Sequence, residues 1–144
     1  MKYTIIIDKN REEEVIVYAK EKTKLTDEIE RLVSLNNLEL IGYDKNGEGV
    51  KLSADDIYCF TAEDNKIFAI TEKEKLRVKC RLYQLEETLP DNFVKINQSC
   101  VANIRKIARF DTSVSGTLLI KLKNGYKDYV SRRQMKAVKE RLGL

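Results

Sequence analysis

The sequence predicts a mainly β protein of the α+β class: short antiparallel sheets with one or two helices, preceded by a small β-β-α-β N-terminal extension. Three observations lead to this prediction. Short runs of β-branched and aromatic residues recur along the chain, and charged or Gly/Asn-containing turns separate them. Asn124-Gly125 stands between two apolar runs, which is the strongest short-range signal for a β-hairpin. Helical spacing of apolar residues is confined to a few short segments.

The extension is predicted to occupy residues 1–48. β-branched and aromatic residues predict strands at residues 3–7 and 15–18, on either side of a charged stretch. A helix is predicted over residues 24–36, because its apolar residues fall on one face, and a strand follows at 38–41. The extension has an acidic balance, and two roles remain open for it: dimerisation or regulation on one side, and packing against the rest of the chain on the other.

Residues 49–144 form the predicted main domain. A helix over residues 82–89 is expected to stop at Pro90, the chain's one proline. A closing helix is expected from Arg132, with Ser131 as N-cap and Gln134 at the third helical position, which is a capping-box pattern. Strands are predicted at residues 50–52, 57–60, 67–70, 76–80, 93–96, 117–122 and 126–130.

Positive charge is concentrated near the C-terminus. Residues 1–50 contain 8 Lys and Arg against 11 Asp and Glu, whereas residues 93–144 contain 12 against 3, a net charge of +9. Such asymmetry is expected of a nucleic-acid-binding protein, since Lys and Arg neutralise phosphates and release counterions. The alternative is a basic surface that is solvated and has no partner.

The composition argues against catalysis and metal binding. The chain has no histidine and no CxxC pair, so it lacks Ser-His and Cys-His nucleophile pairs and the commonest zinc ligand. We therefore expect no enzyme activity, no cofactor and no metal. The three cysteines are expected to be buried free thiols. Without a signal peptide or an apolar run of about 18 residues, the chain is expected to be cytoplasmic.

From residue 57 onward the chain resembles the LytTR family, the bacterial DNA-binding domain of many two-component response regulators. The order and spacing of several segments carry this resemblance, namely residues 57–60, 82–90, 93–103, 124–125 and 130–133. The resemblance implies a mostly β fold that binds double-stranded DNA by inserting loops into successive grooves. It also implies a sequence-specific transcriptional regulator. Because 50 preceding residues are too few for a receiver domain, the chain is similar to the stand-alone members of the family.

The resemblance also implies, by position, which residues contact DNA. Arg133 suits a bidentate contact to guanine, and Gln98 suits acceptors on the floor of a minor groove. The family usually has Arg where Lys95 stands and often His where Asn97 stands, so no bidentate contact is expected from Lys95. Asn103 matches a recurring family residue and is expected to be structural. The implied DNA-binding residues are Asn65, Lys66, Lys95, Asn97, Gln98, Ser99, Arg132 and Arg133, with phosphate contacts at Arg105, Lys106 and Lys136.

The implied partner is a promoter with direct repeats, bound by a homodimer at least on DNA. A small membrane-protein regulator is a further implied partner. One alternative from a different class is a non-enzymatic interaction module whose basic face binds an acidic protein or a membrane surface. RNA binding is less favoured, because the aromatic residues form no platform on which bases could stack.

Overall fold

The computed structural model describes residues 1–36, 39–112 and 116–144. It divides into two compact units, residues 1–33 and 34–144. Helix α1 (Lys24–Asn36) begins in the first unit and has the bounds that the sequence predicts. Its start is capped by Thr23 and Thr26, since the backbone N–H of each donates to the side-chain oxygen of the other.

The strands predicted at residues 3–7 and 15–18 are wrong: the structure has no strand there. A strand needs a hydrogen-bonded neighbour and one buried face, and an isolated hairpin is at best marginally stable in water. These segments have neither a ladder nor a covered face, because Ile5, Ile6 and Ile7 are 79%, 79% and 90% exposed. High β-propensity alone does not replace a partner strand.

The second unit contains a seven-stranded antiparallel sheet, with strand order β2-β1-β5-β4-β3-β7-β6. Helix α2 (Leu82–Thr88) lies in the connection between β5 and β6. The boundary predicted near residue 48 falls in the turn between β1 and β2, which pair with each other. The strands are β1 (Glu39–Tyr43), β2 (Gly49–Ser53), β3 (Cys59–Glu63), β4 (Lys66–Ile70), β5 (Lys75–Val78), β6 (Phe93–Asn97) and β7 (Cys100–Asn103).

A three-stranded antiparallel sheet follows, with order β10-β9-β8. Its strands are β8 (Ile107–Asp111), β9 (Leu119–Leu122) and β10 (Lys127–Tyr129), and helix α3 (Met135–Leu142) ends the chain. The hairpin predicted at Asn124-Gly125 is confirmed, because it joins β9 to β10 and Gly125 has a φ of 92°. The Asn124 amide also donates to the Thr71 carbonyl over 3.0 Å, which fixes the hairpin against the end of β4.

Two hydrophobic cores lie on opposite faces of the central strands. Phe60 and Val101 belong to a core with Leu85 of α2, whereas their neighbours Cys59 and Cys100 belong to a core with the three-stranded sheet and α3. Adjacent residues of a strand point to opposite faces, so β3 and β7 are covered on both sides. The apolar side of α3 faces the second core, in which Val138 is fully buried.

Strand β1 is part of the first core, and the neighbours of Gly42 are packed tightly around it. A Cβ at this position would lie 2.7 Å from Leu76 Cβ and 2.8 Å from Leu52 Cδ1. We expect Gly42→Ala to lower the free energy of unfolding by about 1–3 kcal/mol, because overpacking forces neighbours off their rotamers. Urea denaturation measures this. Gly49→Ala is the matched control, since its nearest neighbour would be the Ile41 side chain at an ordinary 3.5 Å. Equal midpoints for the two variants would contradict the prediction.

Candidate nucleic-acid interface

Two of the three predicted DNA-binding turns meet at one edge of the seven-stranded sheet. Strands β3 and β4 are joined by a turn at Asp64 and Asn65, whose φ values of 49° and 62° are those of a type I′ turn. Strands β6 and β7 are joined by a turn at Gln98 and Ser99. The Ala62 N–H donates to the Ser99 carbonyl over 2.8 Å, so the two turns are hydrogen-bonded neighbours.

The third predicted segment joins the same edge. The Ser131 N–H donates to the Ile96 carbonyl over 2.8 Å, which places residues 131–134 beside the end of β6. These residues form a turn, closed by a bond of 3.1 Å from the Gln134 N–H to the Ser131 carbonyl. We call the turns at 64–65, 98–99 and 131–134 together the recognition edge.

The predicted capping box at Ser131 is wrong. Helix α3 begins at Met135, with Gln134 as N-cap and no side-chain cap. The reason is tertiary: in a capping box the Ser131 N–H would donate to the Gln134 side chain, but here it donates to the Ile96 carbonyl of β6. Arg132 and Arg133 therefore lie in the turn before α3, where both are exposed. Among the described residues, no carboxylate forms an ion pair with either side chain.

Asn97 links two parts of the recognition edge through its side chain. Its amide nitrogen donates to the Tyr129 carbonyl at the end of β10, and its amide oxygen accepts from the Ser99 N–H, both over 2.8 Å. The second bond closes an Asx-turn around Gln98. These contacts suit a positioning role, and direct contact of Asn97 with DNA stays a prediction.

We expect Asn97→Ala to lower the free energy of unfolding by about 1–2 kcal/mol, because it leaves the Ser99 N–H and the Tyr129 carbonyl without these partners. DNA affinity should fall as well, since Gln98 loses its support. Gln98→Ala is the matched control and should reduce affinity without changing stability, because that side chain is exposed. Denaturation curves and binding titrations on both variants test this, and unchanged stability of Asn97→Ala would contradict it.

Lys95 already has an anionic partner. Its Nζ lies 3.3 Å from Glu86 Oε1 on α2, and the two side chains are 35% and 33% exposed. A DNA phosphate near Lys95 would have to compete with this carboxylate. The pairing gave no signal in the sequence, because α2 and β6 come together only through the fold.

The other predicted contacts divide into two groups. The first group is exposed and belongs to the recognition edge or follows it directly: Asn65, Lys66, Ser99 and Lys136. Arg105 and Lys106 follow the opposite end of β7, which at about 3.3 Å per residue is more than 10 Å from the turn at 98–99. Lys106 Nζ lies 5.1 Å from the centre of the Tyr58 ring, a cation–π contact.

Asn103 is structural, as expected from the sequence. The residue is 1% exposed, and its amide nitrogen donates to the Ile57 carbonyl over 2.9 Å. Its amide oxygen accepts from the Asn92 side chain at 2.8 Å and from the Arg105 N–H at 3.1 Å. The side chain thus holds three separate segments around β7.

The thiols are free, with Cys59 and Cys100 buried and Cys80 partly exposed. A hydrogen bond with Cys59 and burial raise the pKa of the Cys100 thiol, so this thiol is protonated at neutral pH. Within the described ranges, no group of three or more Cys, Asp or Glu side chains is placed to hold a metal ion. No helix in the described part of the chain has the length and apolar character needed to cross a membrane.

Comparison with known proteins identifies the family. The model of the LytTr DNA-binding domain matches residues 47–143. An uncharacterized HTH-type transcriptional regulator of Staphylococcus aureus strain NCTC 8325 is 32% identical over 151 residues, covering 100% of this chain and 99% of that protein. A protein of strain MW2 with the same description is 32% identical over 127 residues, covering 84% of this chain and 85% of its own length.

A solved LytTr DNA-binding domain from Bacillus cereus superposes with a TM-score of 0.69 at 21% identity, covering 74% of this chain and 97% of that chain. This likeness confirms the predicted fold class of short antiparallel sheets with few helices. The family match extends over most of the chain and includes all three turns of the recognition edge. The chain belongs to the LytTr DNA-binding domain family.

Proposed function

We propose that this protein, a DNA-binding transcription regulator, recognises a specific double-stranded site by inserting the turns of its recognition edge into successive grooves. One observation carries the proposal: backbone and side-chain hydrogen bonds hold the turns at 64–65, 98–99 and 131–134 at a single edge of the sheet. Turns that are already fixed lose little conformational entropy on binding, which favours affinity.

The exposed side chains of the recognition edge suit two kinds of contact, with base edges and with phosphates. Arg133 can donate two hydrogen bonds to guanine O6 and N7 in a major groove, and Gln98 can reach acceptors in the minor groove between. Lys66 and Lys136 can contact phosphates, which position the protein without specifying sequence. In the described residues, at least one strand lies between each α-helix and the next along the chain. A helix-turn-helix motif needs two α-helices joined by a turn, so DNA recognition in this part of the protein does not use one.

The proposal is tested by selecting duplexes from a random pool with the wild-type chain and titrating the selected duplex at several salt concentrations. We expect the affinity to exceed that for a scrambled duplex by at least about 10³-fold and to fall steeply with salt. The upstream region of the protein's own operon serves as a second probe. Equal affinity for selected and scrambled duplexes would refute sequence-specific recognition.

The competing interaction module would use the basic face of α3 on an acidic protein or a membrane. The apolar stripe of this helix is buried in the second core, which leaves no apolar face for insertion into lipid. Binding to anionic vesicles with the same affinity as to the selected duplex would favour the module. The proposal assigns no catalytic step to the protein.

We also propose that the first unit mediates homodimerisation by pairing with the same unit of a second copy. Its β-branched residues have no strand partner among residues 1–36, 39–112 and 116–144, and Ile6 and Ile16 are 79% and 61% exposed. Pairing with a second copy would bury them and complete the strand ladders. Analytical ultracentrifugation at micromolar concentration should show a dimer for the wild type and a monomer for Ile6→Lys/Ile16→Lys. A wild-type monomer, free and on DNA, would refute the proposal.

We propose a cytoplasmic location, as expected from the sequence, and regulation by a small membrane protein, which the family resemblance implies. If a small membrane protein is encoded beside the gene, as the resemblance implies, cell fractionation with and without that protein tests both. We expect the regulator in the soluble fraction when that gene is deleted and partly at the membrane when it is expressed. An unchanged distribution would contradict the proposed regulator.

A further inference from the structure

The outward face of the three-stranded sheet carries a row of three cations. Lys121 in the central strand β9 is paired in register with Arg109 of β8 on one side and with Lys127 of β10 on the other. Residues in register share a face of the sheet. That face points away from the core, because the alternate residues Ile120 and Leu122 are buried in the second core. We call Arg109, Lys121 and Lys127 the flanking row.

The flanking row is unfavourable for the free protein. Like charges directly opposite each other destabilise a pair of strands, and here two such pairs share the central lysine. Among the described residues, no carboxylate lies within ion-pair distance of the three side chains. Asp111 lies on the same face, two residues after Arg109 and opposite Leu119. It lowers the net charge of this face but leaves it positive. Binding of an anion would remove the repulsion.

The flanking row is continuous with the recognition edge. Lys127 is two residues before Tyr129, whose carbonyl accepts the hydrogen bond from Asn97, and four residues before Ser131. At about 3.3 Å per residue, the row begins roughly 7 Å from the Asn97 contact and 13 Å from the turn at 131–134. A duplex held at the recognition edge would therefore present its next phosphates within reach of these side chains.

We propose that the flanking row binds the sugar–phosphate backbone of the DNA beside the recognised site. This inference rests on the proposed function and extends the interface beyond the three turns. The contacts would be independent of sequence, since they reach phosphates and not base edges. Their contribution would be to position the protein and to steepen the salt dependence of binding.

The test compares Arg109→Gln/Lys121→Gln/Lys127→Gln with wild type on two selected duplexes. One duplex ends at the recognised site, and the other extends it by about ten base pairs, one helical turn, on each side. The salt slope is the slope of the logarithm of the binding constant against the logarithm of the salt concentration. On the long duplex we expect the salt slope of the variant to be smaller in magnitude by about 2–3, close to one unit for each phosphate that the variant no longer neutralises. The ratio of affinities for selected and scrambled duplexes should not change.

Two further measurements make the result specific. The control Lys45→Gln/Lys51→Gln/Lys73→Gln removes the same charge from exposed positions in the β1–β2 hairpin and the β4–β5 turn, and should keep the wild-type slope. The melting temperature of the flanking-row variant should be equal to or higher than that of wild type, because the repulsion is gone. If the triple variant fails to fold, Lys121→Gln is measured alone, with an expected slope change of about one unit.

The outcomes separate the two proposals. A flanking-row variant with the slope of the control variant, or with the same change on the short and long duplexes, would overturn the inference while leaving the recognition edge intact. A wild-type chain that prefers no sequence would refute the proposed function instead. In that case the flanking row is still tested, by the salt slope on the scrambled duplex.

Discussion

Arg133→Ala should weaken binding to the selected duplex by about 1–3 kcal/mol, roughly a 5- to 150-fold increase in Kd, and relax discrimination at one base pair. The guanidinium is exposed, and within the described residues no carboxylate competes for it. Its five fixed donors match guanine O6 and N7, so its removal costs both hydrogen bonds at that base. Stability should not change, because the side chain is exposed and forms no ion pair with another described residue.

The matched control for this prediction is Arg141→Ala. Arg141 is also exposed and lies at the end of α3, away from the recognition edge, so the two variants lose the same charge. Kd is measured on the selected duplex and on duplexes with each base pair exchanged in turn. Equal losses for the two variants at every base pair would show that Arg133 acts only as a positive charge.

Asn103→Ala should lower the free energy of unfolding by about 2–4 kcal/mol. The substitution removes the partner of the Ile57 carbonyl, the Asn92 amide and the Arg105 N–H, in a site that is 1% exposed. Buried polar groups that lose their partner retain the full cost of their desolvation, so the loss exceeds that of one exposed hydrogen bond. The unfolding midpoint should therefore shift to a lower urea concentration.

Asn46→Ala is the control for this second prediction, since Asn46 is an exposed residue in the turn between β1 and β2. Its free energy of unfolding should remain within about 0.5 kcal/mol of that of wild type. Folded Asn103→Ala, measured without denaturant, should still discriminate the selected from the scrambled duplex. A wild-type midpoint for Asn103→Ala would show that Asn103 does not hold the fold in this way.

Local signals were sufficient for several elements. The helix over residues 24–36 depends on spacing within one segment, and the hairpin depends on the adjacent pair Asn124-Gly125, in which Gly125 adopts a positive φ. Asn103 was expected to be structural, as a polar residue that bonds the backbone, and its hydrogen bonds confirm this role. Strands β7 and β8 were not predicted: β7 has four residues that are all buried, and β8 is an edge strand with mostly exposed residues, so neither shows the alternation of a half-buried strand.

The two errors have one physical cause. The strands expected at residues 3–7 and 15–18 need a partner that the described chain does not provide. The capping box expected at Ser131 is displaced by a hydrogen bond to Ile96, which is 35 positions earlier in the sequence. In each case a distant effect outweighs the local preference. The effect is a missing partner strand in the first case and a competing hydrogen bond in the second.

For the interface, the resemblance to the LytTR family, which rests on the order and spacing of segments, implied Gln98 and Arg133 as candidates and DNA as the partner, and both side chains are exposed. Which side chains act together was decided by the tertiary structure. Packing of separate elements joins Asn97 to Tyr129 and gives Lys95 a carboxylate partner in Glu86, and strand pairing aligns the three cations of the flanking row. Each of these contacts links residues whose separation along the chain carries no periodic signal, so the fold alone brings them together.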